Sequence, residues 1–234
     1  LLRGVLFEEA GQVAEALSAY RKASIQAPDS DSASWNVARV AAVSGNADIC
    51  RIASKALLDR NRNSAEGWFA GGLASMLENR PAEAVRGFSE ALRLRREWPE
   101  AEWNLGCALL DSGEAAKALK CLEKAHSVLL NAASPEPLAR AALGAGNLDR
   151  ALHFVESAGS PAREISPEVV YNLAVALHES GKFEIAERLY RRVIDAGAPF
   201  ADAHINLGHL LLAAGRPDDA ESIWSEAAVI EAAA

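Results

Sequence analysis

The sequence predicts an all-α fold, a right-handed α-solenoid of about seven stacked helix-turn-helix units. A triplet of a small, a bulky and a small residue recurs at multiples of 34 residues, as Ala16/Tyr20/Ala23, Ala84/Phe88/Ala91, Ala118/Leu122/Ala125, Ala186/Tyr190/Val193 and Ala220/Trp224/Ala227. Glycines keep the same phase, at Gly4, Gly72, Gly106 and Gly208 and again at Gly11, Gly45, Gly113, Gly181 and Gly215. Apolar residues follow the spacing of a helix, and no segment alternates as a strand would. A period of this length indicates supersecondary units that stack to bury a shared core.

In this register, seven units cover the chain as a single solenoid domain over residues 1–234. The units are 1–30 (partial), 31–64, 65–98, 99–132, 133–166 (degenerate), 167–200 and 201–234. Each unit is expected to form a helix A followed by an antiparallel helix B, because helix punctuation recurs with the same period.

The punctuation defines both ends of helix A. Serines stand at its N-cap position in three units, Ser30, Ser64 and Ser166, and prolines stand at its first helical position in two, Pro99 and Pro167. Glycine at the fifteenth position of a unit ends helix A, because the turn there needs a positive φ. Pro81 and Pro217 then open helix B in the third and seventh units. The small residues Gly106 and Ala118 are expected to face each other where helices A and B approach, so that a larger side chain costs about 1–3 kcal/mol.

The fifth unit departs from the period. Ala118 and Ala151 are 33 residues apart and Ala151 and Ala186 are 35 apart, so helix A is one residue short and the loop from Gly159 to Ser166 compensates. Prolines also crowd the start of this helix, where they are tolerated only in the first turn. We therefore expect helix A of the fifth unit to be short and weakly packed.

The recurring residues resemble the tetratricopeptide repeat, whose pattern is W-x2-L-G-x2-Y, then A-x3-F, then P. The most similar copies are Asn104-Leu105-Gly106 with Ala118/Leu122/Ala125, and Asn206-Leu207-Gly208 with Leu211, Ala220 and Trp224, while Pro28 fills the final proline position of the first unit. The resemblance covers the whole chain. It implies that the A helices line a concave groove, into which positions 2, 5, 6, 9, 12 and 13 of each unit face.

Two of these positions carry a pattern that core packing does not require. Position 5 reads Leu1, Trp35, Phe69, Trp103, Glu136, Tyr171 and Ile205, and position 6 reads Leu2, Asn36, Ala70, Asn104, Pro137, Asn172 and Asn206. An asparagine amide can pair with both the N-H and the C=O of a peptide main chain, whatever the side chains of that peptide are. The series resembles the asparagine ladder in the repeat domain of protein O-linked N-acetylglucosamine transferase. The alternative is that these amides bond only within their own unit or to the adjacent helix.

The sequence therefore predicts a peptide-binding groove. Its expected residues are Trp35, Asn36, Arg39, Phe69, Leu73, Met76, Trp103, Asn104, Cys107, Leu110, Arg140, Tyr171, Asn172, His178, Asn206 and His209. The third and fourth units supply an apolar middle section, which suits the buried anchors of an apolar or amphipathic segment. Arg39 and Arg140 are expected to add isolated positive charge. Position 5 carries no lysine and position 9 no asparagine, which disfavours the carboxylate clamp of chaperone-binding tetratricopeptide domains.

Composition and charge exclude several other function classes. A net charge of -8 disfavours nucleic acid as the main partner, since phosphate binding needs clustered Lys and Arg. A basic cluster does occur at Arg60, Arg62, Arg93, Arg95 and Arg96, and is either a solvated rim or a contact for an acidic segment. No apolar run is long enough to cross a bilayer. Three cysteines, an odd number, are expected to be packed free thiols and favour a reducing compartment such as the cytoplasm.

No catalytic or cofactor motif occurs: the sequence lacks C-x2-C, H-E-x-x-H, a glycine-rich phosphate loop and G-x-S-x-G. His178 with Glu179, and His209, lie on neighbouring A helices, but no third ligand is fixed, so we predict neither a metal site nor an enzyme. The function that we predict is a protein-protein interaction module that binds a peptide segment. The alternatives are the substrate-recognition arm of a larger enzyme, such as a glycosyltransferase, and a scaffold that self-associates through exposed solenoid ends. A start inside a helix, without methionine, suggests a piece of a longer protein.

Overall fold

The computed structural model describes residues 1–129, 134–158, 165–197 and 201–233. Over these ranges the chain forms fourteen α-helices and no strand, which confirms the predicted all-α solenoid of helix pairs. None of the helices in the described ranges is long and apolar enough to span a membrane.

The chain divides into two compact units, Leu1–Ala132 and Ala133–Ala234. The first contains α1 (Leu2–Glu9), α2 (Val13–Gln26), α3 (Asp31–Val43), α4 (Ala47–Arg60), α5 (Ala65–Leu77), α6 (Pro81–Leu94), α7 (Pro99–Asp111) and α8 (Ala115–Leu129). The second contains α9 (Glu136–Gly144), α10 (Leu148–Ser157), α11 (Pro167–Glu179), α12 (Phe183–Asp195), α13 (Ala201–Ala213) and α14 (Pro217–Ala233). Odd-numbered helices are the A helices and even-numbered ones the B helices. That one domain spans residues 1–234 stays a prediction.

The A helices begin where the serines predict, although only two of the three serines act as side-chain caps. The Ser30 hydroxyl accepts the backbone N-H of Ala33 at 3.2 Å, and that of Ser64 accepts the N-H of Gly67 at 3.0 Å. Each bond satisfies an N-H that the first turn of a helix leaves without an intrahelical partner. Ser166 precedes α11 but does not cap it, because its hydroxyl bonds the Glu136 carboxylate at 3.1 Å.

Left-handed backbone follows the A helices, as the recurring glycine predicts. Five of these glycines have φ between 68° and 80°, namely Gly11, Gly45, Gly113, Gly181 and Gly215. In the fifth repeat the left-handed residue is Gly146, with φ 73°, one position before the fifteenth position of the repeat. In the third repeat Asn79 takes it with φ 54°, a conformation that asparagine tolerates better than most residues.

Helices A and B of a repeat approach each other through a glycine opposite a bulky residue. A Cβ placed on Gly106 would lie 2.6 Å from Cγ of Leu122, so the atoms nearest to Gly106 belong to Leu122; that Gly106 also faces Ala118 stays a prediction. The same relation holds for Gly4 with Tyr20, Gly72 with Phe88 and Gly208 with Trp224. The bulky side chains then extend toward the next repeat, as predicted. Tyr20 packs with Val37 and Ala38, and Phe88 shares a core cluster with Trp98 and Ala101.

The first helix of the second unit is short, as the shifted period predicts. α9 has 9 residues, whereas α11 and α13 have 13 each. Its packing is nevertheless close, because Leu138, Ala139, Ala141 and Ala142 are all fully buried. The expectation of weak packing was therefore wrong: the helix is shorter than α11 and α13, but it keeps its apolar face. Most of the predicted compensating loop, residues 159–164, lies outside the described residues.

Candidate functional site

The A helices of the first unit carry an apolar face that passes from the core to the surface. One side of α5 carries four apolar residues, Phe69, Leu73, Met76 and Leu77. Leu73 follows Phe69 by four residues, and Met76 and Leu77 follow Leu73 by three and four, which places them on the same face of a helix. Phe69 is 5% exposed, Leu73 and Met76 are half-buried, and Leu77 is 42% exposed. The N-terminal end of this face therefore builds the core, and its C-terminal end is open to a partner.

The aromatic residues at position 5 do not form one exposed stripe. The Phe69 ring stacks on Trp98 with centroids 4.5 Å apart, and Trp35 meets the edges of Phe69 and Trp98 at 5.6 Å each. Phe69 is therefore part of the core and presents almost no ring surface to a ligand. Trp35 keeps a half-buried ring against this cluster.

Trp103 differs from the other position 5 aromatics in the first unit. It is half-buried on α7, and its ring has no aromatic partner among the residues that the structure describes. Its neighbour Asn104 donates its amide N-H to the Glu100 carbonyl at 2.7 Å, within the same helix. The amide oxygen, which can accept a main-chain N-H, is not used by this bond.

Two exposed apolar residues extend the surface beyond what the sequence predicts. Val43 ends α3 and is 72% exposed, and Leu77 ends α5. Both occupy position 13 of their repeats, and half-buried Leu110 and Cys107 occupy positions 12 and 9 of the fourth repeat, on α7. The available signal was an apolar residue at position 13 in two successive repeats, whereas other repeats place Glu9 or Asp111 there.

Arg39 is not the isolated charge that the sequence predicts. Its guanidinium forms an ion pair with Glu8 of α1, including a bond from Nη2 to Oε2 at 2.7 Å, and the Tyr20 hydroxyl donates to the same carboxylate at 3.0 Å. The hydrogen bond from Arg39 lowers the pKa of Glu8, although partial burial opposes this. Arg39 therefore joins the first two repeats. The amide oxygen of Asn36 lies 3.5 Å from the same guanidinium, which is a weak contact.

In the second unit, the predicted residues are divided between internal contacts and exposed surface. Asn206 donates its amide N-H to the Tyr171 hydroxyl at 2.9 Å, which joins α13 to α11. His178 Nδ1 lies 3.4 Å from the hydroxyl of Tyr190, whose pKa burial raises to about 12. Three other predicted residues are exposed: Arg140, Asn172 and His209, the last with its ring 5.3 Å from that of Trp224. Asn104 and Asn206 thus make the local bonds that were the alternative to ligand binding, whereas Asn36 has only a weak contact and Asn172 is exposed.

The basic cluster is largely neutralised by neighbours. Arg60 bonds the Asp31 carboxylate at 2.8 Å and the Ser34 hydroxyl at 2.9 Å. Arg93 pairs with Glu90, and Arg95 lies 4.6 Å over the Trp98 ring with Glu66 nearby. Arg62 and Arg96 are exposed. The described residues contain no group of three His, Cys, Asp or Glu side chains placed to hold a metal ion.

Comparison with known proteins gives the fold type. A family model described as a tetratricopeptide repeat matches residues 1–48 and 171–234. The structure is similar to that of PilW, a type IV pilus biogenesis factor, with 19% identity, a TM-score of 0.64 and coverage of 89% of this chain and 94% of that one. It is also similar to PilF of Pseudomonas aeruginosa, with 19% identity, a TM-score of 0.59 and coverage of 82% and 88%.

A third similar structure is the APC/C hetero-tetramer Cut9-Hcn1, with 19% identity and a TM-score of 0.52. The match covers 93% of this chain but only 43% of the other, so this chain spans less than half of that one. At these identities the likeness concerns the fold alone. No curated protein matches the sequence.

Proposed function

We propose that the first unit binds an apolar peptide segment of a partner protein along α3, α5 and α7. The chain has the fold of tetratricopeptide repeats, which are protein-interaction and scaffold modules. The observation that carries the proposal is the exposed apolar surface at the C-terminal ends of the A helices. Val43 and Leu77 are exposed there, at the ends of α3 and α5, and Met76 and Leu110 are half-buried near the ends of α5 and α7. Apolar side chains that cluster on a surface indicate an interaction site, whereas scattered ones do not.

The chemistry of this surface favours an apolar or amphipathic ligand. Leu73, Met76 and Leu110 supply adaptable aliphatic contact area, and thioether side chains suit irregular apolar partners. Trp103 is the large aromatic anchor, a residue type that dominates the energy of many interfaces. Asn104 holds the ligand main chain through its amide oxygen, while its N-H remains bonded to Glu100.

The second unit contributes a separate, more polar surface. Asn172 and His209 are its exposed members, on α11 and α13, and Arg140 is exposed on α9. Asn206 and Tyr171 serve to join α13 to α11. The amide N-H of Asn206 is bonded to the Tyr171 hydroxyl, so this donor is not available to a ligand. The similar structures include a pilus biogenesis factor and part of a hetero-tetramer, which supports a role in protein assembly.

A pair of photo-crosslinking variants tests where the partner binds. A photo-reactive amino acid at position 77 is expected to crosslink the partner captured from source lysate, whereas one at position 128 is not. Val128 is the matched control, because it is 63% exposed on α8, a B helix of the same unit. Equal crosslinking from both positions would contradict a site on the A helices.

A double substitution tests the anchor. Trp103→Ala with Asn104→Ala is expected to weaken capture about tenfold or more, because a large aromatic hot spot is worth about 2 kcal/mol or more. Val128→Ala should leave capture unchanged. Far-ultraviolet circular dichroism and thermal unfolding of both variants show that the fold is intact. Undiminished capture by the folded double variant would refute the proposed site.

A further inference from the structure

A cleft of about 210 Å³ opens on the opposite side of the first unit, between the B helices α2 and α4. Its floor is Ser34 and Val37 of α3, which are almost fully buried. The side that α2 contributes is lined by Arg21, Ser24 and Ile25, and the side that α4 contributes by Ile49, Ile52, Ala53 and Ala56. A cavity of about 150 Å³ is enough to take a benzene ring. This cleft can therefore receive one large apolar side chain.

The cleft is lined by a small residue at a position that several other repeats fill with a larger one. Ser24 occupies position 28 of the first repeat, and the same position holds Leu58, Leu92 and Ile194 in the second, third and sixth. Leu58 packs on Gly67 of the following A helix, and Leu92 packs on the core cluster that includes Ala101. At the first junction the equivalent positions hold Ser24 and Ala33, and Ser24 lines the cleft.

The edges of the cleft are apolar on both helices. Ile25 of α2 is 75% exposed and Ile52 of α4 is 67% exposed, and both line the cleft. Single exposed aliphatic residues are common on protein surfaces. Two that flank a cavity large enough for a ring extend the apolar area beyond the cavity itself. That extent suits a segment of a protein better than a small molecule, which would leave the outer parts of Ile25 and Ile52 uncovered.

One positive charge at the cleft is available for a ligand. Arg21 is exposed and forms no ion pair with the residues that the structure describes. By contrast, the basic residues of α4 are each paired with a carboxylate: Arg51 with Asp48, Lys55 with Asp59, and Arg60 with Asp31. A carboxylate on the ligand would match Arg21, since guanidinium groups bind carboxylates with paired hydrogen bonds.

We propose that this cleft is a second binding site, which takes a partner segment that carries a bulky apolar side chain beside an aspartate or glutamate. The apolar side chain enters between Ile25 and Ile52, next to Ser24. The neighbouring carboxylate pairs with Arg21. The site is independent of the A-helix surface, because its lining residues lie on α2 and α4 and on the side of α3 that contacts them.

Isoleucine-methyl NMR offers a direct test, because the sequence places the reporters favourably. The chain has nine isoleucines, and the three in the first unit, Ile25, Ile49 and Ile52, all line the cleft. The other six lie at position 165 or later and serve as internal controls. The probe is a short blocked peptide with one phenylalanine flanked by glutamates, titrated into the millimolar range where a single anchor binds. The expected result is a saturable shift of the three cleft methyl signals only.

Three protein variants and two peptide variants decide the chemistry. Ser24→Leu is expected to weaken binding at least about tenfold. The leucine side chain would occupy the space in which the phenylalanine ring of the probe is otherwise buried away from water. Ser24→Ala, the matched control, keeps the cleft and the affinity. Arg21→Glu should weaken the glutamate peptide and favour a peptide with lysines in place of the glutamates. Replacing the phenylalanine of the probe by alanine should abolish the shifts.

Each remaining outcome overturns the proposal. Absence of shifts, or shifts of all nine signals, excludes a specific site. Equal binding of the glutamate and lysine peptides by wild type excludes recognition through Arg21. If octanoate saturates the cleft as well as the peptide does, the ligand is a small carboxylate instead, and cleft shifts that depend on protein concentration alone identify a second copy of the chain. Should Ser24→Leu fail to fold, the peptide variants and Arg21→Glu still give the decision.

Discussion

A close contact between the backbones of α5 and α6 predicts that Gly87→Ala destabilises the protein. An ideal Cβ on Gly87 of α6 would lie 2.9 Å from both Cα and N of Gly72 in α5, and 3.0 Å from the carbonyl oxygen of Trp68. All three atoms belong to the backbone, so no side-chain rotation relieves the contact. The helices would have to separate by about 0.5 Å to reach ordinary van der Waals distance.

The expected magnitude is a balance of two effects. Overpacking of a close contact costs about 1–3 kcal/mol. The exchange of glycine for alanine within a helix contributes about 1 kcal/mol in the opposite direction. Gly87→Ala should therefore lower the free energy of unfolding by about 1 kcal/mol, which corresponds to about 2–4 °C in melting temperature for a chain of this size.

Gly71→Ala is the matched control, because it offers the same gain in helix propensity on α5. Its nearest neighbours would be the Ser54 hydroxyl oxygen at 3.0 Å and the Ser54 Cβ at 3.9 Å, both in a side chain. Gly71→Ala is expected to unfold at or above the temperature of wild type. Urea and thermal unfolding, followed by circular dichroism, compare the two variants. If Gly87→Ala were as stable as Gly71→Ala, the backbone contact between α5 and α6 would not limit residue size.

Two further predictions concern titratable groups. Arg39 lowers the pKa of Glu8, so the stabilisation from this pair is present above the unfolded-state value of about 4.3 and is lost as pH falls through the lower folded-state value. Glu8→Gln should therefore be less stable than wild type at pH 7 in urea unfolding, and the difference should shrink below about pH 4; a difference that is independent of pH would contradict the role of the pair. Burial raises the pKa of the Cys50 thiol to about 11, so a variant with Cys107→Ser and Cys121→Ser should resist a thiol-specific dye at pH 8 until it is unfolded. Rapid labelling of the folded variant would show that Cys50 is accessible.

The sequence predicts the backbone of this fold well because steric requirements recur in every repeat. A residue with positive φ must follow each A helix, and the register of glycine shows this even where it moves to Gly146. The bulky residue of helix B needs a small partner on helix A, which explains Gly72 opposite Phe88. Such requirements are local to one repeat, and several copies of the period average out the exceptions.

The candidate site was harder to predict, because side-chain pairing depends on the neighbouring repeat. Arg39 has an ion-pair partner because position 12 of the preceding repeat is Glu8. The same position is Ala42 in the second repeat and Met76 in the third, and neither could form an ion pair. Phe69 is buried because Trp98, at the end of its own repeat, stacks on its ring. A comparison of the same position in successive repeats misses such contacts. The residues that meet at the junction of two repeats occupy different positions of the repeat.

Ser24 shows how the same limitation hides a site as well as a contact. Viewed along its own helix, a serine near the end of α2 is an ordinary exposed polar residue. Compared across repeats, it occupies the position at which Leu58 packs on Gly67 one repeat later, and Ala33 occupies the position of Gly67. Ser24 is part of the lining of the cleft between α2 and α4. In a repeat protein, a polar residue at a position that other copies fill with leucine therefore marks either a weakened junction or a binding cleft. The full burial of Ala33 and of Tyr20 nearby indicates that this junction is well packed elsewhere, which favours the cleft.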